Sequence, residues 1–328
     1  MTRIGLLGAG RIGVLHGRNI AANPKAELAA IADAVPAPAE ALGAELGVPV
    51  RDVAEILADR SIEAVVICSS TDTHADLIEG AARAGKAVFC EKPVDLASDR
   101  IRACLAVVEG AGVPLMIGFN RRFDPHFAAL QSRLAAGEIG AVELVTILSR
   151  DPAPPPIAYI ERSGGLFRDM MIHDFDMARF LLGEEPVEVH AVGAALVDRS
   201  IGAAGDVDTA AVLLKTRSGK ICQISNSRRA TYGYDQRVEV HGAKGMLRAQ
   251  NLHESTVEVA DGHGFRGAPV LNFFLERYTP AYRRELDHFL DCLASGRRPS
   301  PSGEDGLRAQ ILADAATRAA TSGQPQTV

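Results

Sequence analysis

The chain has 328 residues, enough for about two domains, and its 47% hydrophobic and 23% charged content excludes a disordered or collagen-like polymer. Thirty-five Lys and Arg against 41 Asp and Glu leave a net charge of −6, which gives no general affinity for nucleic acid or an anionic membrane. The five cysteines, at positions 68, 90, 104, 222 and 292, form no C-x-x-C pair and read as reduced thiols rather than a disulfide framework or a zinc site. No apolar run approaches the ~20 residues of a membrane-spanning helix. The start, MTRIGLLGAGRIG, lacks the apolar core and cleavage site of a signal peptide, so a cytoplasmic protein is expected.

In chain order, apolar runs of strand length stand at Ile4–Leu7, Leu28–Ala32, Ala64–Cys68, Ala87–Cys90 and Leu115–Phe119. Ala-rich stretches of helical length, such as 72–84 and 98–111, lie between them. This alternation predicts a Rossmann-like α/β domain over 1–120, with a parallel sheet buried on both faces. From 121 to 328 the texture predicts a second, α+β domain with an open, mostly antiparallel sheet. Its parts are a helix near 126–136, a strand over Val142–Arg150, the Pro-rich loop 151–156, a helix over 167–182, strands from Val187 to about Ala260, and helices over the final 45 residues.

Gly8-Ala9-Gly10-Arg11-Ile12-Gly13 fits G-x-G-x-x-G directly after an apolar strand and before a helical stretch. Gly8 permits the tight turn, Gly10 the close approach of a pyrophosphate, and Gly13 the packing of helix on strand. The free N–H groups of the helix start then face the phosphates. Asp33, at the end of the second strand, is placed to accept hydrogen bonds from the adenosine ribose. With Ala34 after it and no Arg or Lys to hold a 2′-phosphate, NAD is favoured over NADP.

Glu91-Lys92-Pro93 closes the Ala87–Cys90 strand, at the end of the sheet where ligands gather. An ammonium there can favour a developing alkoxide; the competing reading is a surface salt bridge. The densest polar cluster runs from Ser163 to Asp174. If it is one helix, Asp169 and His173 share a face one turn apart. Such a pair is either ordinary helix scaffolding or a base with its orienting carboxylate. No third ligand stands at metal-site spacing, so no metal is expected. Arg121-Arg122 and Tyr232-Gly233-Tyr234-Asp235 offer further polar groups for a polyol, against a rim or packing role.

Taken together and in this order, Gly8–Gly13, Asp33, Glu91-Lys92-Pro93, Gly164-Gly165, Asp169 and His173 resemble the Gfo/Idh/MocA oxidoreductases over essentially the whole chain. The stretches 118–124, 149–156, 172–179 and 232–237 look like the branch that oxidises myo-inositol at C2. The resemblance implies Lys92, Asp169 and His173 as catalytic residues. It implies Gly8, Gly10, Arg11, Ile12, Gly13, Asp33, Ser69, Glu91 and Lys92 around NAD, and Lys92, Arg122, Asp169, His173 and Tyr234 around the substrate. It also implies a homotetramer built on the outer face of the second sheet. Partners other than a polyol or sugar, such as nucleic acid or a membrane, are not expected. The alternatives are a scyllo-inositol or aldose dehydrogenase, an NAD-dependent glycosidase, and an NAD-binding regulator without chemistry.

Overall fold

Each of the five early apolar runs forms a strand in the computed structural model, which describes all residues from Met1 to Val328: β1 (Thr2–Leu7), β2 (Ala26–Ala32), β3 (Ala64–Ile67), β4 (Ala87–Glu91) and β5 (Leu115–Gly118). They pair in parallel in the order β2-β1-β3-β4-β5. Ile4, Leu6, Val65, Val66, Val88 and Ile117 are fully buried, as a sheet covered on both faces requires. The order reverses at β1, so the crevice at the carboxyl ends of β1 and β3 is where such a sheet takes a ligand.

The chain divides into two compact units. The first comprises Met1–Asn120 together with Tyr282–Gln310, and the second comprises Arg121–Ala281 with Ile311–Val328. The break after Asn120 is where the sequence texture changes. The return of 282–310 to the first unit departs from the expectation that these residues belong to the second. The cause is visible in the helix Thr279–Ser295: Tyr282, Leu286, Phe289 and Leu290 recur at helical spacing and are buried. Phe289 meets Phe89 of β4 edge-on at 5.9 Å, and Lys25 pairs with Asp291 at 2.7 Å. Farther along, the Ile117 N–H donates to Pro301 O at 3.0 Å, so this returning segment also covers the β5 edge.

In the second unit the strands are β6 (Val142–Arg150), β7 (Pro186–Ala194), β8 (Thr209–Thr216), β9 (Ile221–Ser227), β10 (Asp235–Gly242), β11 (Gly245–Ala249), β12 (Glu258–Asp261), β13 (Gly264–Gly267) and β14 (Gln326–Thr327). Seven form one sheet, ordered β11-β10-β6-β9-β8-β7-β14, in which only β6 and β9 run parallel; β12 and β13 are a separate hairpin. One face carries Val145, Ile147, Val212, Leu214, Cys222, Ile224 and Val240, all buried. The helix Ile172–Leu182 packs on β6 and β9 there, burying Phe175, Ala178 and Leu181. No helix is long and apolar enough to cross a membrane. All five cysteines are buried and free.

Candidate functional site

The glycine loop adopts the geometry its spacing predicts. Gly8 has φ +104, and a Cβ there would lie 2.5 Å from the Cys68 carbonyl carbon and Ser69 N. A Cβ on Gly13 would lie 2.0 Å from Gly8 O, so only glycine lets the helix Arg11–Ala21 start so close to β1. A Cβ on Gly10 would meet nothing within 4 Å. That open side, next to a helix start with no side-chain cap, fits a pyrophosphate. Arg11 is exposed and Ile12 half-buried at the first turn.

Asp33 does more than the sequence suggests. Its carboxylate accepts the Ala9 N–H at 2.6 Å and the Val35 N–H at 2.8 Å, tying the end of β2 to the glycine loop. Ala34 beside it is exposed and itself offers no cation to a 2′-phosphate. Ser69, just past β3, shares a 2.7 Å hydrogen bond with Thr73.

Lys92 is half-buried and sits between two pinned residues. Before it, Glu91 accepts from His16 Nε2 at 2.8 Å. After it, the Pro93 carbonyl accepts from His74 Nδ1 at 2.7 Å, while His74 Nε2 lies 3.1 Å from Ser69 O. Burial pulls His74 below the usual imidazole range, against those two carbonyls. His74 thus joins the loop after β3 to the loop after β4. Neither histidine was singled out in the sequence; the signal was His16 in the same helix as the glycine loop and His74 one turn into the helix after Ser69.

In the second unit the helix expected over 167–182 is two pieces, Gly165–Asp169 and Ile172–Leu182. The Met171 N–H reaches back five residues to Leu166 O at 2.9 Å, and the Asp174 N–H only three, to Met171 O at 2.9 Å. Met170, Met171 and Ile172 are all buried, at 6%, 0% and 0% exposure, which one face of a regular helix does not provide. Asp169 and His173 are therefore not two turns of one uninterrupted helix; each is half-buried on its own side of the break.

Each piece is anchored separately. Asp169 accepts from Tyr159 Oη at 2.8 Å and lies 3.5 Å from the Arg228 guanidinium. Arg228 is 1% exposed and also faces Asp206 at 3.9 Å. Asp206 accepts the Leu166 N–H at 3.0 Å, and a Cβ on Gly165 would sit 2.6 Å from its Oδ1, which explains the glycine there. Burial and the Asp169 charge push the Tyr159 hydroxyl up, so it remains a donor. Beside the group, burial raises Asp151 to about 6, with Arg228 opposing.

His173 is held through its neighbour. Asp174 is fully buried and paired with Arg121; it accepts from Ser149 Oγ of β6 at 2.6 Å and from Asn226 Nδ2 of β9 at 2.9 Å. Two residues on, Asp176 takes both Nε and Nη2 of Arg122, at 2.8 and 2.6 Å. Arg122, expected at the substrate, braces this helix and lies over the Phe180 ring at 4.9 Å. Tyr234, the other expected contact, is 5% exposed and meets Tyr278 edge-on at 6.0 Å. The Asp169 cluster and the His173 helix belong to the second unit, and Lys92 and the glycine loop to the first.

Comparison with known proteins agrees with these features. Residues 2–119 match the model of an oxidoreductase family with an NAD-binding Rossmann fold, and residues 127–248 match the Gfo/Idh/MocA C-terminal domain. An inositol 2-dehydrogenase of Rhizobium meliloti is 58% identical over 96% of both chains. A myo-inositol dehydrogenase structure from Corynebacterium glutamicum superposes with a TM-score of 0.96 at 45% identity, covering 100% of this chain and 99% of that one. A scyllo-inositol dehydrogenase from Lactobacillus casei, solved with bound NAD(H) and scyllo-inositol, gives 0.93 at 32% identity over 100% and 99%.

Proposed function

The chain belongs to the Gfo/Idh/MocA oxidoreductase family and carries its NAD-binding Rossmann domain, and from that premise we propose that it oxidises myo-inositol at C2 to the 2-keto product. The observation that carries the chemistry is the bracketing of Lys92 between the His16–Glu91 and His74–Pro93 contacts, in the same unit as the glycine loop. The residues present fit NAD: Gly10 leaves room for the pyrophosphate, Gly8 and Gly13 shape the turn, and Asp33 would accept from the ribose hydroxyls. When bound, NAD supplies the hydride acceptor.

The remaining tasks fall to the chain. His173 takes the proton of the reacting hydroxyl. Asp169, kept in place by Tyr159 and Arg228, supports the imidazolium that results. Lys92 lends its positive field to the alkoxide-like transition state. The second unit binds the polyol, and its open sheet face, with Leu144, Val192, Leu213, Ile221 and Met246 exposed, forms the contacts of a homotetramer. The five free thiols suit a cytoplasmic enzyme.

The test is NADH formation by the purified protein with myo-inositol, scyllo-inositol, glucose and galactose. Myo-inositol is expected to win. His173→Ala should cut turnover by about 10²–10⁴-fold with NADH binding kept. Turnover of none of these compounds, or a wild-type rate in His173→Ala, refutes the proposal. Scyllo-inositol is the competing substrate, supported by the likeness to the Lactobacillus casei enzyme; a higher kcat/KM for it would reassign the substrate and leave the mechanism standing.

A further inference from the structure

Glu285 stands on the helix Thr279–Ser295, in the part that packs in the first unit. It is 0% exposed, and neither of its carboxyl oxygens has a hydrogen-bond partner. A buried polar group left in that state calls for an explanation, because an apolar side chain of the same size would fill the space at lower cost. Its Oε1 lies 4.0 Å from His16 Nε2, the nitrogen that also binds Glu91 Oε1 at 2.8 Å. One ligand atom from each of the three side chains lies within 4.8 Å of the others. Phe89 and Tyr282 pack on the His16 ring, at 5.1 and 5.7 Å between centroids.

The third side of Glu91 is equally tight. A Cβ on Gly118 would come within 3.0 Å of the Glu91 carboxylate, so β5 yields space for this one group. Burial, and then the neighbouring charge of Glu91, hold the Glu285 carboxyl well above the usual carboxylate range. These surroundings favour the protonated carboxyl, which has an O–H to give, next to an imidazole and a carboxylate.

We propose that Glu285 is a positioning residue for the dehydrogenase reaction: it closes a buried triad with His16 and Glu91 that fixes the end of β4, and with it the point from which Lys92 projects. The inference rests on the role given to Lys92 above. The triad links three parts of the first unit: the glycine-loop helix through His16, the end of β4 through Glu91, and the returning C-terminal helix through Glu285. The return of residues 282–310 then has a function beyond covering a sheet edge. Two carboxyls and an imidazole are also a donor set for a cation. The aromatic enclosure of His16, together with burial that favours the protonated carboxyl of Glu285, favours a proton over a metal ion.

The experiment compares Glu285→Gln with Glu285→Leu in the full chain. Gln keeps the shape and the neutral polarity, and kcat should stay within about threefold of wild type. Leu keeps the bulk and removes the polarity. Its kcat should fall about ten- to hundredfold, with substrate KM and NADH affinity within about threefold and no drop in melting temperature. A purely structural residue would move the melting temperature and leave kcat alone.

The proposal is overturned by a wild-type kcat in Glu285→Leu. An equal loss of kcat in both variants also overturns it, as does a stoichiometric metal found by elemental analysis of the purified protein. Lys92→Ala in the same assay separates the two readings. A wild-type rate there removes the role of Lys92 itself. A lost rate there, beside a wild-type rate in Glu285→Leu, removes only the role of Glu285.

Discussion

Adding one methyl group at two positions of the glycine loop should have opposite consequences. At Gly13 the new Cβ would sit 2.0 Å from Gly8 O and 2.8 Å from the Gly8 carbonyl carbon. Both are backbone atoms of the turn itself, so the methyl cannot be relieved by a side-chain rotation. Helix and strand must part by more than 1 Å, roughly, to reach ordinary contact, and overpacking of this kind costs about 1–3 kcal/mol. For a unit of this size that corresponds to a melting temperature lower by about 3–10 °C.

At Gly10 the methyl meets nothing within 4 Å, and the backbone, at φ −68 and ψ −172, is open to alanine. Reduced freedom in the unfolded chain offsets the poorer helix cap, so the net change in stability should be within about 1 kcal/mol of zero. The space the methyl takes is the space a pyrophosphate needs. Gly10→Ala should therefore melt like wild type and bind NADH at least about tenfold more weakly, ~1.4 kcal/mol. Calorimetry of the free protein and NADH fluorescence titration read the two effects separately. Wild-type NADH affinity in Gly10→Ala, or a wild-type melting temperature in Gly13→Ala, would refute the reasoning.

Replacing Asp33 by Ser should narrow the preference for NAD over NADP by roughly tenfold, because the charge that repels a 2′-phosphate is gone. It should also weaken NAD binding, since the Ala9 N–H loses its carboxylate; a wild-type preference for NADP in steady-state assays would sink the assignment. Asp151, raised to about 6, is harder to ionise folded than unfolded. It therefore lowers stability as pH climbs from about 4 to about 6 and the penalty persists above that. Asp151→Asn should be more stable than wild type at pH 8, by at most about 3 kcal/mol, and equal to it near pH 4. Equal melting curves at both pH values would contradict the raised pKa. Light scattering should return four times the chain mass, and a monomer would remove the role given to the exposed apolar face of the second sheet.

Local features were the legible ones. A Gly at a forced φ, a strand buried on both faces and a loop with four prolines are each written in a few adjacent residues. The glycine roles assigned from G-x-G-x-x-G are the ones the Cβ contacts report. The Met170–Met171 break was not legible, because helical periodicity survives one slipped hydrogen bond. Nor was the partner of any buried charge. Arg121 and Arg122 read as polar groups for a polyol or as a rim pair, yet their carboxylates, Asp174 and Asp176, stand 53 and 54 residues on. Only the sheet brings β6 and β9 under the helix and closes those pairs. Glu285 and Arg228 were invisible for the same reason: each gains meaning from residues far away in sequence.

The separate anchoring of the two helical pieces bears on why the break exists. Asp169 answers to Tyr159, Arg228 and, through Arg228, Asp206. His173 answers to the Asp174 network on β6 and β9. In a continuous helix the two side chains would be fixed relative to one another by the backbone alone, and a sheet anchor for one would drag the other. With the slip at Met170 and Met171, each is set by its own partners. A carboxylate held by Tyr159 and a buried arginine has little freedom to move, and a helix anchored through Asp174 gives the His173 backbone a fixed place. Fixed placement of each side chain is what the proposed base and its supporting carboxylate need.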